Sequence, residues 1–311
     1  MKYALLFPGQ GSQSVGMLGA HGAPQIAETL EEASAALGWD VAKLVREGPV
    51  EELNKTEKTQ PALLAASVAV WRHWISLGLP APSALAGHSL GEYSALVAAG
   101  SIGFGDALRL VELRGQLMQA AVPAGTGGMT AVVGLDDDKV AELCKSASQG
   151  LLEPANLNAP GQVVVAGDIA GLEWLDANGK KAGARMVKRL AMSVPSHCSL
   201  MKGAAAKLAD ALAKVEVRTP TVPVLHNLDT KARTDADEIR AALAAQLHQP
   251  VRWTQIVQAL QAQGIQAFLE CGPGKVLVGL NKRIVEGAQS IALEDAAGGE
   301  AAAKLVRGEA A

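Results

Sequence analysis

Residues 83–99 hold the strongest constraint in the chain. A short apolar strand, Ser83–Gly87, runs into Gly87-His88-Ser89-Leu90-Gly91 and then into a helix reaching about Ala99. A Gly-x-Ser-x-Gly turn between strand and helix lifts the serine hydroxyl off the chain, and its glycines permit the cramped corner. The Leu90 amide, at the helix N-terminus, is placed to face a developing oxyanion. This unit belongs in an α/β fold, with helices packed on a sheet. Composition agrees: only 3% of residues are aromatic against 49% apolar, so Ala, Leu and Val form a core of closely packed helices and strands. A buried strand-turn-helix with an idle serine would carry the same letters.

At 311 residues the chain exceeds one typical domain of about 100–200 residues, so two units are sought. Lys2–Phe7 reads as a first strand ending in the glycine loop Pro8-Gly9-Gln10-Gly11-Ser12-Gln13. A helix is predicted from about Gln60 to Leu77, with Pro61 in its first turn and Gly78 ending it. Another spans roughly Phe104–Ala121. From Gly128 the rhythm changes. Strand Thr130–Leu135, helix Asp137–Ser148, strands near Leu151–Pro154 and Gln162–Ala166, helix Ile169–Gly179 and strand Ala184–Leu190 follow in turn. This β-α-β-β-α-β order is that of a ferredoxin-like split unit. It places a small domain at 124–194, inserted into a larger one made of 1–123 and 195–311. A long helix after His197, a strand at Val224-Leu225, helices near Ile239–Leu247 and Arg252–Gln263 and strand Gln266–Glu270 complete the larger unit. Gly272-Pro273-Gly274 leads to a last helix, and beyond Asp295 the tail reads as frayed or helical surface.

A formal charge of −3 argues against nucleic-acid partners, which need a basic field. Cys144, Cys198 and Cys271 form no Cys-x-x-Cys pair, which fits reduced thiols in the cytoplasm. The apolar run Tyr3–Phe7 is too short for a secretory signal. Pro61 to Trp71 falls short of the ~20 residues of a membrane span, so no membrane association is expected.

A serine nucleophile needs a base, and six histidines stand at 21, 73, 88, 197, 226 and 248. His88 adjoins Ser89, but neighbours at such a turn point apart, which leaves it a supporting role. His197 sits where the chain returns to the larger unit, before a helix, so its side chain can face a cleft between the two. No histidine pair has the i, i+4 spacing of a zinc helix, and no metal is expected. The loop at Gly9-Gln10-Gly11 lacks the third glycine of a dinucleotide fingerprint, since Ser14 stands there; it suits a second oxyanion arm, through the Gln10 amide.

Taken together, Phe7-Pro8-Gly9-Gln10-Gly11-Ser12-Gln13, Thr59-Gln60-Pro61, Gly87-His88-Ser89-Leu90-Gly91-Glu92-Tyr93, Arg114, Asn156-x-Asn158-x-Pro160-Gly161-Gln162, Pro195-Ser196-His197 and Gln246-x-x-x-Pro250-Val251 resemble the malonyl-CoA:acyl carrier protein transacylases of bacterial fatty acid synthesis. The resemblance spans nearly the whole chain. It implies an α/β-hydrolase-like large domain with an inserted ferredoxin-like small domain. It further implies Ser89 as nucleophile, His197 as base and acid, the Gln10 and Leu90 amides as oxyanion hole, and Arg114 as clamp for the malonyl carboxylate. On its position alone Arg114 reads equally as a solvated helix arginine or an internal ion pair. No carboxylate stands out to orient His197; in the similar enzymes a neutral carbonyl does so, and Gln246 occupies the matching place, with Asn227 as a neighbour. Gln60 and His88 are further substrate-side candidates. Malonyl-CoA is then the substrate, acyl carrier protein the partner, no permanently bound cofactor is implied, and a monomer is expected. A thioesterase, a transacylase of a polyketide or malonate decarboxylase system, and a non-catalytic carrier-docking protein are the alternatives. Because carrier proteins are acidic, Lys180, Lys181, Arg185, Lys188, Arg189, Lys275, Lys282 and Arg283 are candidates for a docking face.

Overall fold

The structure, a computed structural model, describes residues 1–191 and 194–309. The chain opens with strand β1 (Tyr3–Phe7) and helices α1 (Pro24–Leu37), α2 (Val41–Glu47), α3 (Val50–Leu53) and α4 (Thr56–Ser76). Strand β2 (Ala84–Gly87), α5 (Gly91–Ala98) and α6 (Phe104–Gln119) follow. A second group comprises β3 (Gly127–Val133), α7 (Asp137–Lys145), β4 (Leu152–Ala159), β5 (Gln162–Asp168), α8 (Ile169–Asn178) and β6 (Met186–Arg189). The remainder holds α9 (Lys202–Leu212), β7 (Val224–Leu225), α10 (Ala236–Gln246), α11 (Trp253–Ala262), β8 (Ala267–Glu270), α12 (Val276–Ile284), β9 (Gln289–Ala292) and α13 (Ala296–Arg307).

The fold is mixed α/β with two sheets. One is parallel, ordered β7-β2-β1-β8-β9; the other is antiparallel, ordered β4-β5-β3-β6. All five residues of β1 are buried because helices cover both faces of its sheet. Tyr3, Leu5 and Phe7 enter one core with α4 and α5, while Ala4 and Leu6 enter another with α11 and α12, the alternation a strand imposes. The antiparallel sheet packs one face on α7 and α8, through Val132, Val163, Val165, Leu143 and Leu172. Its opposite face carries Met129, Val164 and Ala166. Strand β4 is tied to the segment between α10 and α11: the Leu157 amide donates to the Val251 carbonyl and the Val251 amide to the Ala155 carbonyl, both at 2.9 Å.

Several elements depart from the sequence expectation. Pro61 lies inside α4, which begins at Thr56. That extra first turn is held by packing: Gly115 of α6 approaches so closely that a Cβ there would lie 2.6 Å from the Glu57 Cα. Strand β4 runs on to Ala159 through a bulge between Pro154 and Asn156, past the strand expected near Leu151–Pro154. The helix after Gly274 is not the last. It is followed by β9, paired with β8, and by α13, capped by the Asp295 carboxylate on the Gly298 amide at 2.7 Å and packed through Ala302, Ala303 and Val306. Among the described residues no helix is long and apolar enough to cross a membrane.

Candidate active site

The turn between β2 and α5 holds Ser89 at φ +51°, a left-handed conformation that a serine adopts only when its surroundings impose it. Gly91 is required by contact, since a Cβ there would lie 2.0 Å from the Phe7 carbonyl oxygen. The corner is pinned from below by Asn227, wholly buried, whose Oδ1 accepts from the Ser89 amide at 2.7 Å and whose Nδ2 donates to the Gly87 carbonyl at 2.6 Å. Asn227, expected beside Gln246 and among the substrate-side residues, contacts the turn itself. Both its polar ends are used on the backbone of the turn, and it does not line the cleft.

His197 approaches from the return segment, also in a left-handed conformation, φ +63°. Its Nε2 lies 2.7 Å from Ser89 Oγ, and its Nδ1 lies 2.7 Å from the main-chain carbonyl of Gln246. A carbonyl only accepts, so Nδ1 carries the hydrogen and Nε2 presents its lone pair to the serine hydroxyl. Gln246 is the last residue of α10, where a helix leaves its carbonyls free. The neutral orienting group thus comes from its backbone. Burial, reinforced by the positive Arg114, pulls the imidazole down to about 3 from its ordinary 6.5, so the ring is a free base at neutral pH. A lowered pKa keeps the base form full at every pH well above it. Serine acylation is therefore expected to be independent of pH between about 5 and 8 as far as His197 is concerned. Rapid-quench measurement of acyl-enzyme formation across that range checks this, and a limb centred near 6.5 would contradict it.

Arg114 of α6 is 1% exposed. Its Nη1 donates to Gln60 Oε1 at 2.7 Å, and its Nη2 to Gln246 Oε1 at 3.0 Å and Ser89 Oγ at 3.1 Å. No carboxylate lies within 4 Å of it among the described residues, and its Nε has no protein partner. A guanidinium buried beside a serine hydroxyl, with no carboxylate in direct contact among the described residues and buried Glu92 held one amide away, favours an anionic group on the incoming molecule. Neither Gln60 nor Gln246 lines the cleft; Gln60 reaches the site through this arginine, and Gln246 through the arginine, the His197 ring and the Ser89 carbonyl.

The cleft measures about 240 Å³. Gly9, Gln10, Ser12, His88, Ser89 and Leu90 form its wall on the parallel sheet's side, and Met129, Ala131, Asn156, Asn158, Gln162 and Val164 form the wall of the antiparallel sheet. The amides of Gln10 and Leu90 donate to no protein group among the described residues and border the cleft, as oxyanion donors must. His88 also borders it. Its Nε2 is 2.8 Å from Asn158 Oδ1, tying the two walls together, and burial lowers its pKa, so it is a neutral positioning group. Sequence reasoning missed Glu92, wholly buried behind the serine, and the apolar wall of Met129, Ala131 and Val164. Glu92 was visible only as a letter after Gly91, and the wall as ordinary strand alternation. Among the described residues no group of His, Cys, Asp or Glu is arranged to hold a metal ion.

The acyl transferase domain family matches residues 4–303. The malonyl CoA-acyl carrier protein transacylase of Salmonella typhimurium is 56% identical over 299 residues, covering 95% of this chain and 97% of the relative. The structure of the malonyl CoA-acyl carrier protein transacylase from Coxiella burnetii superposes with a TM-score of 0.97 at 45% identity, covering 98% of each chain. A malonyl-transacylase solved in complex with a type II polyketide acyl-carrier protein superposes with a TM-score of 0.96 at 52% identity, covering 98% of this chain and all of that one.

Proposed function

The chain belongs to the acyl transferase domain family, and from that premise we propose that it moves malonyl groups from malonyl-CoA to the phosphopantetheine thiol of acyl carrier protein, supplying fatty acid synthesis. The observation that carries this reading is Arg114, a buried cation that no carboxylate contacts directly among the described residues and whose Nη2 lies 3.1 Å from the hydroxyl of Ser89. It supports reading Arg114 as a carboxylate-binding group beside the nucleophile Ser89.

The steps follow from the contacts. Ser89 Oγ attacks the thioester carbonyl and its proton passes to His197 Nε2. The amides of Leu90 and Gln10 receive the oxyanion, each donor contributing about 100- to 1,000-fold. Collapse breaks the carbon–sulfur bond, and the coenzyme A thiolate leaves with the proton from His197. The carrier thiol then gives its proton to His197, attacks the malonyl-serine ester and restores the free hydroxyl. Arg114 holds the malonyl carboxylate throughout, with Gln60 and Gln246 fixing the guanidinium.

The strand order β4-β5-β3-β6 supports reading 124–194 as a ferredoxin-like insertion in an α/β-hydrolase-like domain of 1–123 and 195–311. Met192 and Ser193, next to the second boundary, and Ala310 and Ala311 lie outside the described residues. Three buried free cysteines support a reducing cytoplasmic setting. The resemblance to a transacylase that serves a polyketide carrier favours a second reading, in which that class of carrier is the acceptor.

Intact-mass measurement after brief exposure to malonyl-CoA without carrier tests the function. A malonyl adduct mapped to Ser89 and discharged faster by holo-carrier than by water is expected; rapid loss to water would identify a hydrolase. Comparing discharge onto fatty acid and polyketide carriers separates the two readings. For docking, Arg189 is paired with Asp176 and Lys275 with Glu294, whereas Lys180, Lys181, Arg185, Lys188 and Lys282 make no ion pair among the described residues. A few hundred millimolar salt is therefore expected to raise the apparent KM for carrier, with an unchanged KM ruling out an electrostatic dock.

A further inference from the structure

Glu92, wholly buried in the first turn of α5, takes no part in the steps above. Its oxygens receive three hydrogen bonds: from His226 Nδ1 at 2.7 Å on Oε1, and from the Asn227 amide and Gln246 Nε2, both at 2.9 Å, on Oε2. Two of these donors lead into the site, for Asn227 holds the Ser89 amide and Gln246 holds Arg114.

The Gln246 amide has only one orientation that its neighbours accept. Nε2 faces the Ser89 carbonyl at 3.0 Å and Glu92 Oε2 at 2.9 Å, both acceptors, so Oε1 is turned to Arg114 Nη2. Flipped, the amide would set N–H against guanidinium N–H and oxygen against two oxygens. The Ser89 carbonyl alone can accept one of the two Nε2 hydrogens. The second hydrogen, buried, needs Glu92.

The geometry points to Glu92 as the positioning residue for malonyl selectivity: its Oε2 locks the Gln246 amide with oxygen toward Arg114, which keeps the guanidinium aimed at the substrate carboxylate. This rests on the reading of Arg114 as the carboxylate clamp. What the site needs is an acceptor oxygen at this point. A glutamine there can turn its oxygen to the Asn227 amide and Gln246 Nε2 and its NH2 to His226 Nδ1, which accepts in the other neutral tautomer.

The test compares kcat/KM for malonyl-CoA and acetyl-CoA, per active site titrated as acyl-enzyme, in wild type, E92L and E92Q. E92L is expected to lower the malonyl-to-acetyl ratio about 10- to 100-fold, mainly through the malonyl KM, and E92Q to recover most of it. Should E92L fail to fold, E92D carries the test, since one methylene less withdraws the oxygen from Gln246; the ratio is then expected to fall at least about fivefold. A role in folding alone would lower the yield of active sites and leave the ratio of those remaining untouched. A wild-type ratio in folded E92L or E92D, or an E92Q as unselective as E92L, would overturn the inference. Wild-type protein that forms no malonyl-serine in the same assay would instead overturn the transacylase reading.

Discussion

Ser89→Ala protein is expected to form no malonyl adduct and to lose transfer activity by about 10,000-fold or more. The size follows from the chemistry: without Oγ there is no covalent intermediate, and direct attack by the carrier thiol has only the oxyanion donors and substrate binding to help it. The substitution should leave the fold intact, because among the described residues Ser89 Oγ bonds only to His197 and Arg114 while the corner is held through backbone contacts from Asn227. Thermal unfolding close to that of wild type, with an empty mass spectrum after malonyl-CoA, is the expected pair of results. An adduct that persisted and mapped elsewhere would end the assignment of Ser89 as nucleophile.

Arg114→Ala is expected to lower kcat/KM for malonyl-CoA by about 1,000-fold while acetyl transfer gains relative to it. Two charge-assisted hydrogen bonds to a carboxylate, at about 1.5–3 kcal/mol each, correspond to roughly 100- to 10,000-fold, and the estimate takes the middle. Some of the loss belongs to Gln60 and Gln246, which would be left with buried oxygens and no donor. Acetyl-CoA controls for that part, since a general collapse of the site would reduce both substrates equally. Lysine at this position should restore little, because a point charge cannot serve both amides and a carboxylate at once. The competition assay is direct: equal malonyl-CoA and acetyl-CoA, products resolved by mass. An unchanged product ratio would refute the clamp.

How far the sequence led depended on whether the physics was local. The turn at Ser89 was legible because a strand, two glycines and a helix start lie within nine residues. The antiparallel unit was legible because its alternation and its helix signals follow one another in chain order. His197 stands 108 positions from Ser89, so its partnership rested on where it lies at the return to the larger unit and on the family motif, not on any local pattern. Arg114, Gln60 and Gln246 come from three separate helices, and helix periodicity says nothing about three polar groups converging. Glu92 hid in plain view: an acidic residue in a first helical turn reads as an ordinary partner of the helix dipole. The first turn of α4 and the pairing of β9 on β8 were hidden for a related reason. Each depends on a surface supplied by a distant element, Gly115 in one case and β8 in the other.

The two walls of the cleft belong to different sheets, and this makes reactivity and acyl-size selectivity separately mutable. Ser89, His197 and Arg114 close their hydrogen bonds among Gln60, Asn227 and Gln246, all outside the antiparallel sheet. Met129, Ala131 and Val164, on the facing wall of the cleft, make none of those bonds and pack in another core, which reaches His197 through its neighbour Cys198. Trimming bulk on that wall is therefore expected to enlarge the cleft without removing a hydrogen bond of Ser89, His197 or Arg114, any strain reaching them only through Cys198 and the His88–Asn158 link. The packing penalty falls mainly on the core behind that wall. A lineage built this way can diversify its substrates by small hydrophobic substitutions alone.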